Sequence, residues 1–180
     1  MTLTQNHFEL FAMPVAFELD VSQLAQRYRD LQRLLHPDRY ANASAQERRL
    51  AVQKTAQVNE AFQVLKAPLS RARYLLQLGG VEFDDEKETQ QDPVFLMEQM
   101  ELREALAEVS AADDPLARLA SLMQDIKTRQ GEMEAELRQQ LGKSDPQSRQ
   151  VAKQLVQKMQ FFLRLQQHAE ELEERLVDSL

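Results

Sequence analysis

The sequence predicts an all-α protein made of two helical domains. It contains only 4 Gly and 6 Pro among 180 residues, and 43% of its residues are apolar. Apolar residues recur every three or four positions, a spacing that places them on one face of a helix. Residues 1–78 carry 10 Lys and Arg against 7 Asp and Glu, whereas residues 79–180 carry 12 against 22. We expect a first domain over residues 1–78, a polar linker over 79–92 and a second domain over 93–180.

The first domain is predicted to be a helical hairpin with a short helix on each side. A first helical turn ends before Met13-Pro14. Asp20 can cap the next helix, whose apolar face comprises Leu24, Tyr28, Leu31 and Leu35. A second stripe predicts an antiparallel helix from about residue 45 to 66, with core positions Leu50, Ala51, Val58, Ala61, Phe62 and Leu65. A shorter helix over residues 69–78 is stopped by Gly79-Gly80.

The two helices of the hairpin are separated by His36-Pro37-Asp38. Proline fixes its own φ angle and disfavours helix at the preceding residue, so Pro37 ends the first helix and stiffens a turn that holds Asp38 outward. The residues alone leave three interpretations: a helix stop with a solvated acidic side chain, a general acid–base pair, and a metal site. No nucleophile or glycine-rich phosphate loop accompanies the pair, and His7 and His168 lie far away in sequence.

Three Asp-Pro pairs mark helix starts in the second domain: Asp92-Pro93, Asp114-Pro115 and Asp145-Pro146. Each places a capping carboxylate beside a proline suited to the first helical position. The helices are expected over residues 93–110, 115–141 and 146–177, and their short connections predict an antiparallel three-helix bundle. Its core positions are predicted to be Phe95, Leu102, Leu106, Val109, Leu116, Leu119, Met123, Ile126, Met133, Leu137, Val151, Leu155, Phe162, Leu165, Ala169, Leu172 and Leu176.

The helix from Pro93 carries a second apolar face that a three-helix bundle does not need. Leu96, Met97 and Met100 lie away from its core stripe, beside Glu101 and Glu104. A flexible Leu-Met patch with an acidic rim is typical of a protein-binding surface for a basic partner. The alternative is that these side chains pack on the linker or on the first domain.

The composition excludes several classes of protein. The sequence has no cysteine, so neither a disulfide framework nor a thiolate-held zinc or iron–sulfur centre is available. The net charge of −7 argues against general nucleic-acid binding. The N-terminal residues lack a signal- or transit-peptide pattern and no apolar run could span a membrane, so we expect a cytoplasmic bacterial protein without a cofactor.

The first domain resembles the J domain of DnaJ-type co-chaperones. The resemblance rests on Tyr28-Arg29-x-Leu31, then His36-Pro37-Asp38-Arg39, then Asn59-Glu60-Ala61-Phe62-x-Val64-Leu65. It implies that the loop triggers ATP hydrolysis by a DnaK-class chaperone, whose acidic surface docks on a basic helix face. The chaperone-binding residues implied are His36, Pro37, Asp38, Arg27, Arg29, Arg33 and Arg39. Asp30 departs from the pattern, because many J domains have a basic residue there, which suggests a specialised partner.

The whole chain resembles the HscB family of bacterial J-type co-chaperones of iron–sulfur cluster assembly. The segment from Phe95 to Glu104 is distinctive, and Glu171-Leu172-Glu173-Glu174-Arg175-Leu176 is also similar. The resemblance implies that the second domain binds the scaffold protein IscU and delivers it to the chaperone HscA. The scaffold contacts it implies are Leu96, Met97, Met100, Glu101, Glu104 and Phe161, although Phe162 is adjacent and the two rings could exchange roles. No catalytic residue or metal ligand is implied.

Three other functions remain as alternatives to this adaptor. A general J-domain co-chaperone would use DnaK and need another client surface, yet glycine/phenylalanine-rich and cysteine-rich zinc regions are missing. A helical scaffold would not need a proline-stiffened loop. An enzyme that uses His36 and Asp38 would need a pocket, which the sequence does not reveal.

Overall fold

The computed structural model describes residues 5–40, 43–83 and 92–178, and every regular element in these ranges is helical. The chain divides into two compact units, Met1–Gly79 and Gly80–Leu180. The acidic and glutamine-rich part of the predicted linker, residues 84–91, lies outside the described residues. The all-α prediction is confirmed.

The first unit contains four α-helices whose starts follow local capping rules. They are α1 (His7–Leu10), α2 (Val21–Leu35), α3 (Ala45–Lys66) and α4 (Pro68–Leu78), and a 3₁₀ turn (Pro37–Tyr40) connects α2 to α3. As predicted, the Asp20 side chain accepts a hydrogen bond from the Gln23 backbone N–H at 3.0 Å. Ser44 and Glu47 form a capping box at the start of α3. α4 ends at Leu78, and Gly80 follows with a φ of +80° that favours glycine.

Antiparallel packing of α2 on α3 builds the core of the first unit, which α1 and α4 complete. The Tyr28 ring stacks on Phe62 with 4.0 Å between the ring centroids. The buried core residues are Phe8, Leu10, Phe11, Met13, Leu24, Leu35, Val58, Ala61 and Leu65.

Leu50 corrects the predicted core of α3. Its side chain is 42% exposed, whereas the neighbouring Ala51 is only 6% exposed. Adjacent helical residues differ by about 100° in direction, so the face that buries Ala51 against the hairpin leaves Leu50 at the solvent side. The other positions of that predicted stripe are buried or packed against the core.

The second unit contains three long helices, as the Asp-Pro pairs predict. They are α5 (Pro93–Ala107), α6 (Pro115–Leu141) and α7 (Pro146–Asp178). Asp92 accepts from the Phe95 N–H at 3.0 Å, Asp114 from the Ala117 N–H at 3.0 Å and Asp145 from the Ser148 N–H at 2.8 Å. α5 ends earlier than predicted, because a 3₁₀ turn (Val109–Ala111) follows it and buries Val109.

The three helices of the second unit share one apolar core. Its buried members are Phe95, Leu102, Val109, Leu119, Leu122, Ile126, Phe161, Phe162, Leu165 and Ala169. Leu122 is absent from the predicted stripe, and Leu106, Met123, Met133, Leu172 and Leu176 are only partly buried. Long helices bury a broader stripe than one row of positions, which accounts for Leu122.

We expect Leu65→Ala to lower the free energy of unfolding of the first unit by about 2 to 5 kcal/mol, because Leu65 is fully buried. The matched change Leu50→Ala should cost less than about 1 kcal/mol, since a partly exposed side chain loses less burial. The 3 tyrosines all lie in the first unit, so tyrosine fluorescence during a urea titration reports its unfolding. Equal losses for the two variants would contradict the corrected core.

Candidate functional site

The loop after α2 presents an exposed histidine and aspartate from a hydrogen-bonded turn. α2 ends at Leu35, and His36 leaves the helical conformation with a ψ of 133°. The Arg39 backbone N–H donates to the His36 carbonyl oxygen at 3.0 Å, which closes the 3₁₀ turn. The His36 side chain is 57% exposed and the Asp38 side chain 89% exposed. The carboxylate is therefore free to contact a partner.

The His36 ring contacts Asp38 within this turn. The Asp38 backbone N–H donates to His36 Nδ1 at 3.3 Å. Asp38 Oδ2 lies 3.4 Å from the same Nδ1, and this contact becomes an ion pair only when the ring is protonated. Both groups face solvent, an arrangement that suits recognition by a partner better than proton transfer in an enclosed site.

The loop is held at the end of the hairpin by contacts between α2 and α3. The Tyr28 hydroxyl donates to Asn59 Oδ1 at 3.1 Å. Gln32, one turn further along α2, bonds to both Tyr28 and Asn59. Together with the stacking of Tyr28 on Phe62, these bonds fix the register of the two helices. The residues of the J-domain resemblance thus position the loop.

The predicted basic face of α2 and the turn after it carry three exposed arginines. Arg29, Arg33 and Arg39 are exposed. Arg29 donates to Gln26 Oε1 at 2.8 Å, and Arg33 lies 3.4 Å from Asp30. The Asp30 carboxylate therefore partly neutralises the positive charge of Arg33, although exposed ion pairs of this kind are weak.

Arg27 corrects the prediction for that face. Its Nη1 donates to the carbonyl oxygen of Phe11 at 2.6 Å and also to that of Ala12. Ala12 has a φ of 50°, so the chain turns sharply where its carbonyl meets the guanidinium. Arg27 is partly buried and its Nη1 holds the segment after α1, so it is less accessible than the three exposed arginines.

The second predicted site, on α5, is an exposed apolar face. Leu96, Met97 and Met100 are 41%, 64% and 62% exposed. Glu101 and Glu104 are also exposed beside them. The predicted exposure is confirmed, whereas binding by this face stays a prediction.

Asp92 fixes the start of α5. Its second carboxylate oxygen lies 2.9 Å from Lys158 Nζ on α7. The pKa of Asp92 is lowered, chiefly by the Phe95 N–H hydrogen bond and next by the hydrogen bond with Lys158. The two hydrogen bonds of the ionised Asp92 carboxylate therefore stabilise the folded state. This stabilisation is present above the ordinary pKa of aspartate and is lost as the pH falls through the lowered pKa.

Phe161 corrects the predicted scaffold contacts. It is 8% exposed and Phe162 is 2% exposed, so both rings belong to the core. Phe161 meets the edge of Phe95 with 5.7 Å between centroids, and the Arg103 guanidinium lies over its ring at 5.3 Å. Most of the ring packs against α5, and its small exposed part faces the space between α5 and α7. Consecutive positions on α7 are both buried since α7 packs against two helices.

No group of three metal-ligating side chains comes together among residues 5–40, 43–83 and 92–178. None of the helices described there is both apolar and long enough to cross a lipid bilayer.

Comparison with known proteins identifies the family. The DnaJ domain model matches residues 12–74, and the HSCB C-terminal oligomerisation domain model matches residues 91–170. A co-chaperone protein HscB homolog of Shewanella loihica is 46% identical over 171 residues, which cover 95% of this chain and 99% of that protein. The chain belongs to the HscB family of co-chaperones.

Solved structures of HscB proteins share this fold. Chaperone HscB from Vibrio cholerae has a TM-score of 0.87 and 42% identity, with 96% of this chain and 99% of that chain covered. The human co-chaperone protein HscB also has a TM-score of 0.87, with 30% identity over 96% of this chain and 84% of that chain. The chain is a J-domain co-chaperone, and its J domain implies a partner of the DnaK (Hsp70) class.

We expect Phe161→Ala to destabilise the second unit by about 3 to 5 kcal/mol, because it opens a cavity under α5. Phe161→Leu should retain most of that stability. Far-UV circular dichroism reports loss of helix in both units, whereas tyrosine fluorescence reports only the first unit, because the second has no tyrosine. A transition seen by circular dichroism alone is therefore the unfolding of the second unit. A fully stable Phe161→Ala variant would show that the ring is outside the core.

Proposed function

We propose that this HscB-family protein is an adaptor in bacterial iron–sulfur cluster assembly. Its J domain stimulates the ATPase of HscA, and its second domain binds the scaffold protein IscU and delivers it. The domain limits proposed are residues 1–78 and 93–180, joined by a linker over 79–92. The chain does no chemistry of its own and acts in the cytoplasm. The observation that carries the proposal is the presence of two exposed surfaces, the loop at His36 and the face at Met97, in a chain of this family.

The chaperone contact is proposed to centre on the Asp38 carboxylate. The carboxylate is 89% exposed, and the turn that follows α2 fixes the backbone that carries it. A carboxylate on a preformed turn pairs well with an arginine of a partner, because the backbone need not be ordered on binding. Arg29, Arg33 and Arg39 add positive charge that speeds the encounter with an acidic surface.

The scaffold contact is proposed to be the Leu-Met face of α5. Leu96, Met97 and Met100 supply apolar area, and Glu101 and Glu104 select a partner with basic residues around an apolar patch. The sequence contains no cysteine, so the proposal leaves cluster ligation by thiolates to the scaffold.

Asp38→Asn is expected to reduce the stimulation of HscA by about tenfold or more, because a charge-assisted hydrogen bond is lost while the shape of the side chain is kept. The measurement is single-turnover ATP hydrolysis by HscA with and without IscU. Asp125→Asn removes an exposed charge from α6 and serves as the matched control.

Two results would contradict the chaperone half of the proposal. The first is unchanged stimulation of HscA by Asp38→Asn. The second is stimulation of DnaK alone, unaffected by IscU, which would leave a general J-domain co-chaperone.

The double change Met97→Ala and Met100→Ala should weaken IscU binding by about tenfold or more, because exposed apolar anchors at the centre of an interface carry much of its free energy. Val177→Ala, a truncation of a 55% exposed side chain on α7, is the control. Isothermal titration calorimetry with IscU measures both. Equal affinity of the double variant and the control would exclude this face.

A further inference from the structure

A polar groove lies between α5 and α7 in the second unit. It has a volume of about 360 Å³. Its lining includes the polar side chains of Gln99, Arg103, Lys158, Arg164 and His168 and the ring of Phe161. Phe95 and Leu165 add apolar wall. The groove therefore combines hydrogen-bond donors with an apolar surface.

Gln99 is a buried polar side chain in the wall of this groove. It is 3% exposed, and its Nε2 has no hydrogen-bond partner among the residues the structure describes. Gln99 lies four residues after Phe95, on the side of α5 that faces the core. A buried amide without a partner costs about 1 to 3 kcal/mol, so a ligand that supplies an acceptor would recover that cost.

The groove is positively charged within an acidic domain. Its lining contains Arg103, Lys158 and Arg164 against a single acidic residue, Asp92. The Asp92 carboxylate already bonds to Lys158 and to the Phe95 N–H. The two arginines therefore have no carboxylate in the groove to pair with.

Aromatic rings hold two of these cations in place. The Arg103 guanidinium lies 5.3 Å from the centroid of Phe161, and Lys158 Nζ lies 5.0 Å from that of Phe95. Stacking on a ring orients a guanidinium without using its N–H donors. The N–H donors of the Arg103 guanidinium thus remain available to a planar acceptor such as a carboxylate.

We propose that this groove binds a carboxylate, namely an aspartate or glutamate side chain of an acidic protein segment. Arginine forks and an amide donor match the two oxygens of a carboxylate, and Phe95 and Phe161 suit the methylene groups of the acidic side chain.

The position of the groove favours a peptide segment as the source of the carboxylate. At about 100° per residue, Arg103 and Leu96 point within about 20° of each other on α5. Leu96 is 41% exposed, so an extended segment that crosses it reaches Arg103 directly. The proposed carboxylate site is independent of which chaperone or scaffold the protein binds. It gives the acidic domain a second recognition surface, of opposite charge, beside the Leu-Met face.

The test uses the full chain and two capped peptides, one with three glutamates alternating with alanines and one with glutamines in their place. Side-chain N–H resonances of Arg103, Arg164 and Gln99 are followed by NMR at about 0.15 M salt, where distant charges are screened. The glutamate peptide should shift these resonances to saturation, and the glutamine peptide should not.

Three variants assign the binding to the groove. Arg103→Gln and Arg164→Gln should each weaken the glutamate peptide by about tenfold, the loss of one charge-assisted hydrogen bond. Gln99→Leu should weaken it as well, with little change of side-chain volume. Arg118→Gln, an exposed arginine of α6 outside the groove, should leave the affinity unchanged.

Three outcomes would overturn the proposal. They are equal binding of the two peptides, equal affinity of all four variants, and binding of free acetate as tightly as the peptide. The last result would mean a small-anion site instead of a site for a protein segment. None of these outcomes bears on ATPase stimulation or on IscU binding, so failure here is separate from failure of the proposed function.

Discussion

The packing of α2 against α3 is the interaction on which the J domain depends. Tyr28 joins the two helices by stacking on Phe62 and by donating to Asn59, and these contacts set where α2 ends relative to α3. Because Pro37 prevents α2 from continuing, the hairpin must turn at His36. The exposed Asp38 carboxylate is a consequence of that turn, so its position depends on apolar contacts more than two helical turns away.

The second unit positions its surface residues in a comparable way. Asp92 caps α5 and bonds to Lys158, while Phe95 packs against Phe161 and Phe162. With one side of α5 held in the core, Met97 and Met100 on the opposite side and Leu96 on the flank are exposed to solvent. Between these two sides lies Arg103, stacked on a core ring at the edge of the groove. One short helix therefore presents an acidic apolar face and a basic groove.

Local rules made most of this structure predictable from the sequence. A carboxylate before a proline, or before the first periodic residue, starts a helix through bonds within three residues, so the sequence predicts the capping roles of Asp20, Asp92, Asp114 and Asp145 correctly. The predictions that the structure corrects depend on contacts between segments distant in sequence. Arg27 reaches Phe11 and Ala12, Leu50 lies just outside the packed face, and Phe161 is covered by α5. Helical periodicity gives directions around one axis, and it does not give the width of the surface that a neighbouring helix covers.

In the proposed function, one chain couples the chaperone to the scaffold. The most direct measurement mixes Asp38→Asn with the Met97→Ala and Met100→Ala variant and follows HscA ATP hydrolysis in the presence of IscU. Each variant retains one surface and lacks the other. If a single chain must hold both partners, the mixture should lack the IscU-dependent part of the stimulation that the unmodified protein gives at the same total concentration. Full recovery of that stimulation by the mixture would contradict the account, because it would show that the two surfaces act independently.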